Sequence, residues 1–192
     1  MGKHAEQTRN AIMDAFLVAI EEKQVVEKVY VRDVARIGNL SRSTFYTYYD
    51  GIDDLTNALA AKYGNEVCDA IRRGLAEEAQ SGNHYAPYLR MLEFLIAPDV
   101  MSLTRTLLLD ASNKAVSEAI AEPIQKLLYD EYRKNHPDVS ESVHRRTSIF
   151  WVYGMYGLVK DWIKNGCDLD IEQIARDMDY SARLCGDWDI PD

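Results

Sequence analysis

The stretch SRSTFYTYYD, from Ser41 to Asp50, concentrates hydrogen-bonding chemistry in very little chain. Arg42, Ser43, Thr44, Tyr46, Thr47 and Tyr48 offer one guanidinium and five hydroxyls. Phe45 and Tyr49 are four residues apart, the spacing that sets two apolar anchors on one face of a helix. A core helix of this composition would bury too many hydroxyls without partners. Held clear of a core, the same groups suit another task. Arg, Ser, Thr and Tyr reach the base edges and phosphate oxygens of a nucleic-acid duplex, and small residues near a helix start allow close approach.

The elements around this stretch must hold it out. Ile12, Phe16, Ala19 and Ile20 mark one face of a first helix, roughly 3–22. Val31, Val34, Ala35 and Ile37 mark a short second helix, ended by Gly38-Asn39, two residues that tolerate the left-handed conformation. Ser41 is placed to N-cap a third helix, and Asp50-Gly51 breaks it. One longer helix followed by two short ones around a tight turn is a helix-turn-helix, whose second short helix can enter a DNA major groove.

The remainder reads as helix as well. The spacing predicts helices over about 53–80, 85–96, 100–109, 117–134, 139–164 and 171–184, with Pro123 kinking one or marking its start. Asp138 with Glu141, and Asp170 with Gln173, have capping-box spacing. The tail CGDWDIPD is expected to fray. No β alternation or hairpin signal occurs. The expected fold is all-α, about nine helices, with a three-helix head over 1–55 on a larger helical domain over 56–192.

Composition excludes several classes. Of the 192 residues, 47% are apolar and 28% charged, as in a soluble globular protein. The absence of an 18-residue apolar run or an N-terminal apolar segment predicts no membrane span, no secretory signal and a cytoplasmic protein. The net charge of −9 argues against non-specific coating of nucleic acid. Residues 1–60 carry seven Lys and Arg against nine Asp and Glu, so the acidity lies mainly beyond them. Cys68, Cys167 and Cys185 are far apart and odd in number, which reads as reduced thiols. Phosphate-binding loops, nucleophile elbows and zinc-protease spacings are absent, and the four histidines fit no ligand pattern. No catalysis, cofactor or metal is expected.

The stretch VRDVARIGNLSRSTFYTYYDGIDDL resembles the N-terminal signature of the tetracycline-repressor (TetR) family. Val34-Ala35, the turn ending at Ser41, Thr44-Phe45-Tyr46 and Leu55 agree with that signature in order and spacing. The later WVYGMYGLVKDWIKNG and DIEQIARDM resemble a common ending of the family's ligand domain. The resemblance implies base-facing roles for Arg42, Ser43 and Thr47. It implies phosphate contacts for Thr44, Tyr46, Tyr48 and Arg32. Ile52 stands where the family has a lysine that contacts phosphate, Asn39 replaces a turn glycine, and Tyr30 replaces a capping Ser or Thr. Further implications are a homodimer on a palindromic double-stranded operator, an unknown small-molecule effector, and repression. An interaction protein of the same fold, silent toward DNA and acting through a protein partner, is the alternative.

Residues 149–163 are apolar almost all round, so that helix must be covered on most sides, by its own core or by a second copy. Tyr153, Gly154, Gly157 and Trp162, with Ile174 and Met178, are candidates for a dimer interface. Tyr63, Tyr88, Met91, Phe94, Met101, Trp151 and Met155 are candidates for an adaptable apolar pocket, although such a stripe also arises from plain packing.

Overall fold

The computed structural model describes residues 3–23, 25–110 and 114–186. Its elements are α1 (Lys3–Lys23), a 3₁₀ turn (Val26–Lys28), α2 (Val31–Ile37), α3 (Arg42–Tyr48), α4 (Ile52–Ser81), α5 (Ala86–Leu95), α6 (Met101–Arg105), α7 (Lys114–Asn135), α8 (Glu141–Lys164) and α9 (Ile171–Gly186). The chain is all-α, with nine α-helices and no strand among the described residues. It divides into two compact units: 1–62 with 102–119, and 63–101 with 120–192.

In the first unit, Ile12, Phe16, Ala19 and Ile20 of α1 form one core with Val34 of α2, Phe45 and Tyr49 around α3, and Leu55 and Leu59 of α4. Phe16, Val34, Phe45 and Leu55 are fully buried, so the short helices are fixed by packing and not by propensity, which could not hold seven residues helical alone. Asn39 ends the turn after α2 with φ of 47°, the conformation expected of the Gly38-Asn39 pair. Tyr30 gives no side-chain cap to α2; the Asp33 carboxylate instead accepts the Tyr30 N–H at 3.1 Å. At α4 the Asp54 carboxylate accepts the Asp50 N–H at 3.1 Å. Asp53 and Asp54 thus sit at a helix N-terminus, where the dipole favours acids.

In the second unit, Gly74 lets α4 meet the backbone of Ala86 and Pro87 at the start of α5, and a Cβ there would clash with both. At Gly64 a Cβ would lie 2.6 Å from the Ile120 carbonyl oxygen and 2.9 Å from Pro123 Cγ of α7. Pro123 neither starts nor ends α7, which runs through it. α5 packs on α9. His144 of α8 is buried, and its Nε2 donates to the His136 carbonyl at 3.0 Å, tying down the loop before the helix.

Two capping expectations need correction. Ser140 is the N-cap of α8, not Asp138, because the chain turns at 136–139 before the helix begins at Glu141. At α9 the Asp170 carboxylate does accept the Glu172 N–H, 2.9 Å, but Gln173 bonds forward to Asp177 and closes no capping box. The segment expected over 100–109 is α6 followed by a wider π turn, Thr106–Asp110. Of the tail, 185 and 186 continue α9, and 187–192 lie outside the described residues.

Candidate nucleic-acid interface and ligand cavity

α3 is built to expose one face. Ser41 Oγ accepts the Thr44 N–H at 3.0 Å and so starts the helix, and it also lies within hydrogen-bond distance of the Ser43 and Thr44 hydroxyls. Phe45 and Tyr49 point into the core, and Tyr46 stacks edge-on to Phe45 with ring centroids 5.5 Å apart. That packing leaves Tyr46 56% exposed. Arg42, Ser43 and Thr47 are exposed beside it, while Thr44 and Tyr48 are half-buried. Thr47 Oγ1 donates to the Ser43 carbonyl at 3.0 Å, fixing its rotamer.

A second device steadies this face from α1. The Arg9 guanidinium lies 5.7 Å from the centres of both the Tyr48 and Tyr49 rings. The cation thus clamps the end of α3 from below. Burial raises the pKa of Tyr49, opposed by the positive charge of Arg9.

Across the turn, Arg32 at the start of α2 lies over the Tyr30 ring at 5.0 Å. Tyr30, Val31, Arg32, Arg42 and Tyr46 together line an open depression of about 320 Å³. It gathers two guanidiniums and two phenols, groups that suit a phosphate backbone. Arg36 points elsewhere, paired with Glu22 at 2.8 Å. All of the residues assigned to DNA except Tyr48, Thr44, Ser43 and Thr47 therefore share this depression, and those four lie along α3 itself. Tyr30 in this depression and Arg9 beside α3 were not among the candidates for DNA contact, since an aromatic or basic residue beside the short helices has no fixed spacing.

The apolar candidates separate. Tyr88, Met91 and Met155 line a cavity of about 210 Å³ in the second unit, with Ile71, Leu75, Pro87 and Leu128. Its polar lining is Glu78, His84, Glu131, Tyr132, Asn135 and Asp179. Tyr63 is not there: it is buried against Phe94, ring centroids 5.8 Å apart. Met101 and Trp151 are half-buried and outside the cavity lining, Trp151 lying edge-on to Phe150.

The dimer candidates separate as well. Tyr153, Gly154 and Gly157 are exposed, and both glycines face open space in the protomer. Trp162, Ile174 and Met178 are buried within the protomer, and Trp162 Nε1 donates to the Leu169 carbonyl at 3.0 Å. They belong to its own core. The exposed apolar face of α8 is instead Phe150, Tyr153 and Leu158, at 60%, 47% and 44% exposure.

Residues 99–183 match a family model for the C-terminal region of TetR transcriptional regulators. That match covers less than half of the chain. Over 65 residues, 34% of the chain, it is 32% identical to the uncharacterised helix-turn-helix transcriptional regulator YxbF of Bacillus subtilis (strain 168). That match spans only 17% of YxbF. Two solved structures share the fold. NalD, the secondary repressor of the MexAB-OprM multidrug efflux pump in Pseudomonas aeruginosa, is 15% identical, TM-score 0.57, over 92% of this chain and 94% of its own. FadR of Bacillus subtilis, solved with stearoyl-CoA, is 14% identical, TM-score 0.54, over 88% of this chain and 95% of its own. The proteins that this chain is similar to are named as transcriptional regulators. None of its described helices is long and apolar enough to cross a membrane.

Proposed function

We propose that this protein is a cytoplasmic, sequence-specific DNA-binding repressor of the TetR family, released from a palindromic operator by a small molecule. The observation that carries the reading is the exposed face of α3, with Arg42, Ser43, Tyr46 and Thr47 outward and Phe45 and Tyr49 locked inward. Residues 1–55 present that face, and Thr44, Tyr48 and Arg32 add phosphate contacts. Residues 56–192 hold the effector and the second protomer. The exposed Phe150, Tyr153 and Leu158 of α8, with Gly154 and Gly157 between them, form a face that a symmetric copy would cover. Two-fold symmetry then sets two α3 helices on successive major grooves. The effector acts by preferring the head spacing that fits those grooves less well. The stearoyl-CoA of FadR is not carried over, since a cavity of about 210 Å³ lined by carboxylates is too small and of the wrong sign for an acyl-CoA.

Two observations favour the DNA-silent alternative: Arg36 is engaged by Glu22, and Ile52 stands where the resembling family has a lysine. Selection from random duplexes by purified protein, with Tyr46→Ala alongside, separates the readings. Recovery of an inverted repeat by the unmutated protein alone supports the repressor. Recovery of no motif by a folded dimer supports a partner protein instead.

A further inference from the structure

We infer that the cavity of the second unit takes a small organic cation, an apolar ring or short alkyl group bearing a protonated amine, with Glu131 as its charge partner. The inference rests on the reading of this cavity as the effector site and narrows that site to one ligand class.

Charge comes first. Three carboxylates line the cavity, and no Lys or Arg does. They are not equivalent. Asp179 holds Arg183 at 2.9 Å, and Glu78 holds His84 Nδ1 at 2.8 Å. The nearest cation to Glu131 is Lys134 at 3.9 Å, a side chain 74% exposed, in a contact too long for a good hydrogen bond. Glu131 itself is only one-third exposed. An entering anion would meet three carboxylates, whereas a cation would gain Glu131, whose ion pair with Lys134 is long and exposed.

The walls agree. Tyr88 and Tyr132 line the same cavity. Each ring offers a face to a cation and each oxygen a lone pair to an ammonium. Burial, then the Asp179 and Glu78 carboxylates, push the Tyr88 hydroxyl up to about 12, against Arg183. Burial also raises Tyr132. Both therefore stay neutral across the physiological range. The remaining wall is apolar, and Met91 and Met155 can repack around a ring. The volume of about 210 Å³ falls below the roughly 300–1,000 Å³ typical of drug-sized ligands, so the occupant is small. Among the described residues no group of His, Cys, Asp and Glu could hold a metal ion, so the cation is organic.

The test is calorimetric titration of the full chain near neutral pH with 2-phenylethylamine, 2-phenylethanol and 3-phenylpropionate, which share a ring and differ in charge. The amine should bind at least about tenfold more tightly than either isostere, the value of one charge-assisted hydrogen bond. Glu131→Gln should abolish that preference and leave the affinity for the alcohol unchanged. Equal or tighter binding of the alcohol or the propionate, an intact preference in Glu131→Gln, or no binding of any probe at millimolar concentration would each overturn the inference. Operator affinity is measured in parallel. Operator release by the alcohol or propionate alone would keep the effector site and reject the cation. Tight amine binding without any change in operator affinity would keep the cation and reject the effector site.

Discussion

Removing one oxygen from Tyr46 isolates its role. The ring of Tyr46 rests edge-on against Phe45 and is 56% exposed, so Tyr46→Phe keeps the packing and should leave stability unchanged. The hydroxyl, if it donates to a phosphate, makes a hydrogen bond to a charged group worth about 1.5–3 kcal/mol. At about 1.4 kcal/mol per decade, that is a loss of about ten- to a hundredfold in operator affinity. A phenol releases no counterion, so the slope of log affinity against log salt should stay as it is. Arg42→Ala supplies the contrast, since losing one phosphate-paired cation lowers that slope by about 0.9. Fluorescence anisotropy on the selected duplex at several salt concentrations measures both quantities, with circular dichroism and urea unfolding as controls. Unchanged affinity in Tyr46→Phe would refute the assignment of this hydroxyl to DNA. A shift of the salt slope in Tyr46→Phe would refute the physical account of how it acts.

Further outcomes follow from other contacts. Ser41→Ala removes the acceptor for the Thr44 N–H and should cost about 1 kcal/mol in urea unfolding. Phe150→Glu, on an exposed position of α8, should shift sedimentation from dimer to monomer with little loss of helix content. Burial pushes the Cys68 thiol up to about 11, so at mildly alkaline pH the folded protein should give the same number of reactive thiols with and without Cys68→Ala. In denaturant the Cys68→Ala count should be one lower.

Much of the head was legible because its signals are local. Ser41 caps α3, Gly38-Asn39 turns the chain and Phe45 and Tyr49 face inward, and each follows from residue type and short-range spacing. The TetR resemblance added roles that spacing alone does not assign. The larger unit was less legible because an all-round apolar helix does not declare which side meets which neighbour. Trp162 satisfies its indole on the Leu169 carbonyl inside the protomer, whereas Phe150 stays outside, and periodicity treats them alike. Tyr63 and Phe94 choose each other, while Tyr88 lines the cavity. The place of Glu131 in the cavity lining, with only a 3.9 Å contact to Lys134, is a three-dimensional fact that spacing does not carry. Asp138 misled for a related reason: a capping residue matters only where the helix starts, and the turn at 136–139 moved that start to Ser140.

The most direct measurement is the ratio of affinities of the unmutated protein for the selected inverted repeat and for the same duplex with both half-sites scrambled, at one moderate salt concentration. A sequence-reading α3 predicts a ratio of about a thousandfold or more. A ratio near one, with the dimer intact, would contradict it.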